Sequence, residues 1–328
     1  MISDTQSDAR PTRFAFIDLL KGVAIVAMVI YHAGFDLTLQ RLISIDLIND
    51  PWWTAFARII ASTFVGLVGF NLVLATRAGF RPERYFRRLG LIVGAALLVS
   101  AGTWWFDART FVFFGILHQI ALSSLLGVAF LRVPTVVVAL VAAFIIVLPQ
   151  FFDHQFFDAP FMWWVGLSAT DPLSVDYVPL FPWFGVALAG MVAARIFLTW
   201  GTETRLAVWA PGGRLARAVT VAGQWTLPIY LIHQPILFGL LFLAAPFVAP
   251  SIELARDQFN AQCQPACGSD RTEAECAELC TCVFEGIYDT DLYEVETLEL
   301  MSPDQRQRWD ELINVCVTGA AGAPQPLN

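Results

Sequence analysis

The sequence has little charge. Asp, Glu, Lys and Arg make up 15% of its 328 residues, against about 25% in an average soluble domain, and 57% are hydrophobic against about 45–50%. Mean hydropathy is +0.61. A soluble fold with a greasy core does not need that surplus, and its apolar residues fall in blocks long enough to cross a bilayer. Disorder over most of the chain is excluded by 27 Phe and 11 Trp. A basic excess is also missing: the net charge is −8, which argues against nucleic acid as a partner. Cysteine is absent before residue 263 and histidine is absent after residue 233. No internal repeat is evident.

Charge divides the chain in the same place. Residues 1–250 carry 16 Lys and Arg against 13 Asp and Glu, whereas residues 251–328 carry 4 against 15. The reading is a membrane domain over 1–250 followed by an acidic, Cys-rich tail over 251–328.

Seven apolar segments approach the roughly 20 residues that a spanning helix needs: 15–34, 54–76, 89–104, 111–131, 134–152, 178–199 and 218–247. The fold class predicted is all-α, a polytopic membrane protein of about seven transmembrane helices with a small disulfide-bridged helical tail. The seventh segment carries Pro228 and Pro235, which predict a kink or break. Residues 1–12 are polar and no A-x-A site follows the first apolar stretch, so helix one is expected to be retained.

Alternate loops differ in charge. One set holds Arg10, Arg13, Arg77, Arg81, Arg84, Arg87, Arg88, Arg132, Arg205, Arg214 and Arg217; the other holds only Arg41 and Arg109 among many Asp. By the positive-inside rule the N-terminus is cytoplasmic. Seven crossings place the tail outside, in the periplasm of a bacterial inner membrane. The cysteines agree: Cys263, Cys267, Cys276, Cys280, Cys282 and Cys316 all lie in the tail, and disulfides persist in oxidising compartments. Cys263-x3-Cys267 and Cys276-x3-Cys280 each put two thiols on one helix face, which suits a stapled helical hairpin. Six cysteines allow 15 pairings, and spacing does not choose among them. Zinc is the rival reading, made weaker by a tail without His.

Ionisable groups inside a membrane are costly and so draw attention. Helix one carries Asp18 and Lys21, three apart, and His32 near its other end. Helix two carries Arg58 and Asn71, with Gly66 and Gly69 between them suited to close helix packing. His118 and Gln119 lie in the fourth segment and His233 in the seventh. Three His in three spanning segments suggest one shared interior site. A catalytic metal is not expected, because these His lack carboxylate or thiolate company. The segment Arg77-Ala-Gly-Phe-Arg81-Pro-Glu-Arg84-Tyr-Phe-Arg87-Arg88 reads as a cytoplasmic loop, serving either anionic lipid or the phosphates of a nucleotide-like donor.

Four stretches together carry a resemblance. Arg13-x4-Asp18-x2-Lys21-Gly22 with Tyr31-His32 is one. The others are Phe114-Gly115-Ile-Leu-His118-Gln119-Ile, Tyr177-Val-Pro-Leu-Phe-Pro182-Trp183-Phe-Gly185 and Tyr230-Leu-Ile-His233-Gln-Pro235. In order and spacing, over roughly residues 10–245, they resemble the heparan-α-glucosaminide N-acetyltransferase catalytic-domain family. They are more distantly similar to integral-membrane acyltransferases of bacterial surface glycans. The resemblance implies transfer of an acyl group, acetyl above all, from cytosolic acyl-CoA to an extracytoplasmic amino sugar or other glycan acceptor. It makes His32, Asp18, His118 and His233 the catalytic candidates, with His32 first. It makes Arg13, Lys21, Arg77, Arg87 and Arg88 donor-binding candidates, and Arg58, Asn71, Gln119 and Trp183 acceptor-binding candidates. The alternatives are a small-solute transporter and a membrane scaffold whose periplasmic tail binds a partner. Lipid is a partner under every reading.

Overall fold

Inside lipid every backbone N–H and C=O must be paired within its own segment, so long apolar runs become helices. The computed structural model describes residues 14–39, 43, 47, 50–170, 172–201, 209–244, 252–267, 271–288, 290, 292 and 301–318. Among them are eleven α-helices and no strand. The chain divides into two compact units, one of Met1–Ala33 with Asn49–Gly239 and one of Gly34–Ile48 with Leu240–Asn328.

The first unit is the helical membrane body. It is built from α1 (Ala15–Leu39), α2 (Pro51–Thr76), α3 (Pro82–Phe106), α4 (Ile116–Phe130), α5 (Thr135–Val147), α6 (Leu180–Ile196), α7 (Arg214–Gln224) and α8 (Thr226–Ala244); the unit boundary cuts α1 and α8. Five helices are long and apolar enough to cross a membrane: α1, α2, α3, α6 with the π-turn that extends it, and α8. α4 and α5 are shorter apolar helices.

The core lies where α2, α5 and α6 meet, around Val65, Val138, Leu188, Met191 and Ala194, each 1% exposed or less. α2 and α6 touch backbone to backbone. A Cβ at Gly190 would strike the carbonyl of Gly66, and one at Gly69 the carbonyl of Ala187. Between helices in lipid, where the hydrophobic effect does not drive association, such close approach supplies the contact energy.

Three segments differ from the sequence reading. The arginine-rich stretch over residues 82–88 is not loop. It forms the first two turns of α3, with Pro82 at the start, where its missing N–H costs nothing, and Glu83 in the first turn. α4 starts late, at Ile116, because Gly115 is extended (φ −93°, ψ −169°) and serves as its N-cap. The seventh segment is two helices, as its prolines suggested, but it breaks at Trp225 and not at a proline. Trp225 N–H closes α7 on the Ala222 carbonyl (3.0 Å), and its own carbonyl accepts from Ile229 N–H (3.1 Å) to open α8. Pro228 then sits in the first turn of α8, where no backbone donor is needed.

The second unit contains α9 (Ile252–Ala266), α10 (Glu273–Ile287) and α11 (Pro303–Thr318). Its cysteines are all in disulfides: Cys263–Cys280, Cys267–Cys276 and Cys282–Cys316. The two Cys-x3-Cys pairs therefore join crosswise between α9 and α10, and the third bridge ties α10 to α11. Val283, Ile287 and Leu292 form a small core with Phe259, Trp309, Leu312 and Ile313. Thr272 caps α10 by a reciprocal pair: Glu275 N–H donates to Thr272 Oγ1 (3.3 Å) and Thr272 N–H donates to Glu275 Oε2 (2.7 Å). Those bonds from Thr272 hold the Glu275 carboxyl below its ordinary range.

Candidate active site

Two non-helical segments bring the site together. Residues 110–114 and 174–178 run side by side. Val175 N–H donates to the Thr110 carbonyl (3.0 Å), Val178 N–H to the Phe114 carbonyl (3.0 Å) and Ser174 Oγ to the Phe111 carbonyl (3.0 Å). This pairing carries Asp176 to the start of α4, where its Oδ2 accepts from Ile116 N–H (2.9 Å). A helix N-terminus offers unpaired N–H groups and the positive end of its dipole, so a carboxylate fits there. Gly115 has to be glycine, because a Cβ would collide with Asp176 Oδ2. Tyr230 on α8 donates its hydroxyl to the same oxygen at 3.4 Å. Burial pushes the Asp176 carboxyl above its ordinary value, and the bonds from Ile116 and Tyr230 oppose that rise.

Of the four candidate catalytic residues, the structure brings His32 and His233 together: their ring centroids are 5.0 Å apart. His233 is 7% exposed, and its Nδ1 is 2.6 Å from the Tyr230 carbonyl. A carbonyl only accepts, so Nδ1 carries the proton and Nε2 keeps the lone pair. That Nε2 is buried and without a hydrogen-bond partner. Beside the pair, Tyr31 packs edge-on against His32 (5.4 Å) and stacks on Trp53 (5.5 Å). The Trp53 Nε1 is likewise buried without a partner.

His118 is used differently. Its Nδ1 accepts from Gly115 N–H (3.2 Å) and its Nε2 faces Ser100 Oγ (3.3 Å), so both nitrogens are engaged in closing the N-terminus of α4. Ser100 in turn donates to the Val112 carbonyl. Gln119, one residue on, is fully buried and donates from Nε2 to Ser123 Oγ (2.9 Å), leaving its Oε1 unpaired.

Asp18 lies apart from the His pair. It bonds Lys21 (3.3 Å) and accepts from Gln224 Nε2 (3.4 Å), at a crossing where Gly22 and Gly223 let α1 and α7 touch. Fourteen helical residues put it about 21 Å along α1 from His32. Asn71 turns its amide back to the Leu67 carbonyl on its own helix (2.6 Å), Arg58 is exposed, and Trp183 is half-buried against the core. Arg77 caps the end of α2, and Arg87 and Arg88 are exposed on α3. Arg13 lies outside the described residues.

Sequence reasoning missed Asp176, counted there only as loop charge, and Tyr230, quoted in a motif but given no role. The available signal was position: Asp176 immediately precedes the Tyr177 motif, and Tyr230 is three residues before His233. It also missed Arg195, whose guanidinium donates to the carbonyls of Val133 (2.6 Å), Phe130 (2.7 Å) and Leu131 (3.1 Å), closing the end of α4.

The arrangement offers a neutral imidazole with an unused lone pair, a second imidazole beside it, and a buried carboxylate that ties the three C-terminal motifs together. A lone pair so placed can take a proton from an amine or hydroxyl. Comparison with curated proteins and with solved structures finds no match. Residues 13–235 match the family model described as heparan-alpha-glucosaminide N-acetyltransferase, catalytic, and the chain belongs to that family.

Proposed function

We propose that residues 1–250 form a transmembrane acyltransferase. It moves an acyl group, acetyl above all, from cytosolic acyl-CoA to an amino sugar or other glycan acceptor on the far side of a bacterial inner membrane. The observation that carries the reading is the buried, unpartnered Nε2 of His233 beside the His32 ring, in a chain whose family name is an N-acetyltransferase. The charge asymmetry of the loops supports a cytoplasmic N-terminus. The three disulfides support a tail in an oxidising compartment.

In this mechanism His233 Nε2 takes the proton from the acceptor's amine or hydroxyl. The freed nitrogen or oxygen attacks the thioester carbonyl carbon, a C–N or C–O bond forms, and the C–S bond breaks. The proton passes from His233 to the departing thiolate, so acyl-CoA and acceptor become acylated acceptor and free CoA. His32 orients the ring of His233 or shares its proton. Tyr230 fixes the tautomer through its carbonyl. The donor enters at the end of α1 that holds Asp18 and Lys21, with Arg13, Arg77, Arg87 and Arg88 as the cations available to its phosphates. The long pantetheine arm of CoA then carries the thioester toward the His pair. Gln119 and Trp53 are the buried polar groups left to meet the acceptor or the acyl carbonyl.

The test is release of free thiol from acetyl-CoA by the purified full chain in lipid vesicles, with glucosamine as acceptor. Release that needs both protein and acceptor, and that is lost in His233→Ala or His32→Ala, supports the reading. No release with any acyl-CoA from folded protein overturns it.

A further inference from the structure

The paired segments that deliver Asp176 also build a second feature, on the wall they share with the 3-10 turns of residues 155–165. It is a cleft of about 450 Å³ lined by Arg109, Phe111, Phe113, Asp158, Trp163 and Thr170, among others. That volume falls within the range of small-molecule sites. We propose that this cleft is a saccharide subsite that binds the sugar unit next to the one being acylated, so that the preferred acceptor is an oligosaccharide and not a free monosaccharide. The proposal rests on the acyl-transfer reading for the identity of the neighbouring reaction.

Three features support it. First, the lining has the chemistry of a sugar site. A pyranose has apolar C–H faces and hydroxyl edges. Trp163 and Phe113, 5.4 Å apart, offer aromatic faces, and Asp158, Arg109 and Thr170 offer an acceptor, a forked donor and a hydroxyl.

Second, the lining is fixed in advance. The Trp163 indole N–H donates to the Asp158 carbonyl (2.8 Å), and Tyr177 OH donates to the Trp163 carbonyl (2.7 Å). Asp158 Oδ1 is held by Ala169 N–H (2.8 Å), and Arg109 Nε by Asp107 (3.2 Å). A site already ordered loses less entropy when a ligand binds.

Third, the cleft adjoins the site. Phe113 lines it, the next residue, Phe114, packs on the His118 ring (5.6 Å), and Gly115 N–H bonds that ring. Consecutive residues of this stretch thus connect cleft and site, a separation of roughly one residue's reach, about 3.5 Å per residue. Ser174, which holds the cleft residue Phe111 through its carbonyl, is two residues from Asp176.

The test is calorimetric titration of the full chain in lipid nanodiscs with glucosamine and with its β1,4-linked disaccharide, without acyl-CoA. The disaccharide is expected to bind roughly tenfold more tightly, the worth of one well-placed aromatic contact. In Trp163→Ala and in Arg109→Ala that ratio falls toward one. Arg109 is exposed, so its variant keeps the test decisive if Trp163→Ala does not fold. Equal affinity for the two sugars in the unmodified chain, or a preference kept in both variants, overturns the subsite. Thiol release separates the two ideas. A binding preference without release from acetyl-CoA keeps the cleft as a saccharide site and removes its link to acyl transfer. Release without a preference keeps acyl transfer and removes the subsite.

Discussion

The rings of His32 on α1 and His233 on α8 lie 5.0 Å apart, although 201 positions separate them in the chain. His233 Nδ1 is bound to the Tyr230 carbonyl, so its only usable lone pair is on Nε2. If that lone pair is the base, His233→Ala should lower turnover by about 10²–10⁴-fold. His32→Ala should also lower it, and the double variant should be little worse than the poorer single one, because groups that act as a unit are not additive. Acetyl-CoA binding, measured by equilibrium dialysis, should persist in all three. Turnover of His233→Ala within a few-fold of the unmodified chain would remove the assignment.

Asp176 yields a prediction about pH. Burial raises its carboxyl in the folded protein above the ordinary value of 3.8. For an acid with a raised folded value, stability is fully present below the unfolded value and declines as pH rises through the folded one. Asp176→Asn keeps an oxygen for Ile116 N–H and Tyr230 OH without the buried charge. The variant should therefore melt higher than the unmodified chain near neutral pH, and the gap should close near pH 4. Its turnover should nevertheless fall, as expected where a functional group is held at a cost in stability. Melting curves that run parallel across pH would show that Asp176 is not ionised in the fold.

Much of this was legible in the sequence, and the reasons are physical. Lipid leaves the backbone few options, so apolar runs announced the helices. Gly66 and Gly69 announced a close crossing, and the spacing of Cys263, Cys267, Cys276 and Cys280 announced a stapled hairpin. What stayed hidden depends on partners distant in sequence. The late start of α4 at Gly115 is set by Asp176, 61 positions later. The break at Trp225 is a local backbone event that the nearby prolines only hinted at. The crosswise pairing of the cysteines follows from how α9 and α10 lie against each other, which spacing does not encode. His118 looked equivalent to His233 in sequence; only its two engaged nitrogens separate the roles.

The glycines divide into two groups that a single substitution tells apart. Gly69→Ala places a methyl against the Ala187 carbonyl, and Gly190→Ala one against the Gly66 carbonyl, so α2 and α6 must separate. Each should cost about 1–3 kcal/mol, as overpacking does. Gly90 and Gly94 on α3 have nothing within 4 Å of an added Cβ. Alanine there should be neutral or stabilising, by up to about 1 kcal/mol, from helix propensity alone. Thermal melts in detergent of the four single variants give the comparison. Equal effects in both groups would mean that the α2–α6 contact is not as close as the structure has it.

The three bridges of the tail should differ in worth. Cys282–Cys316 closes 34 residues, Cys263–Cys280 closes 17, and Cys267–Cys276 closes 9. On the chain-entropy account a longer loop gains more from closure, so the first should stabilise by about 1 kcal/mol more than the last. It is also the bridge that ties α11 to α10, whereas the other two duplicate each other in joining α9 to α10. Paired Ser substitution of Cys282 and Cys316 should therefore release α11 to protease while α9 and α10 stay protected. Paired substitution of Cys267 and Cys276 should leave all three helices resistant under the same digestion. Limited proteolysis followed by mass spectrometry distinguishes these outcomes. Release of α9 in the second variant would show that Cys263–Cys280 alone does not hold the hairpin.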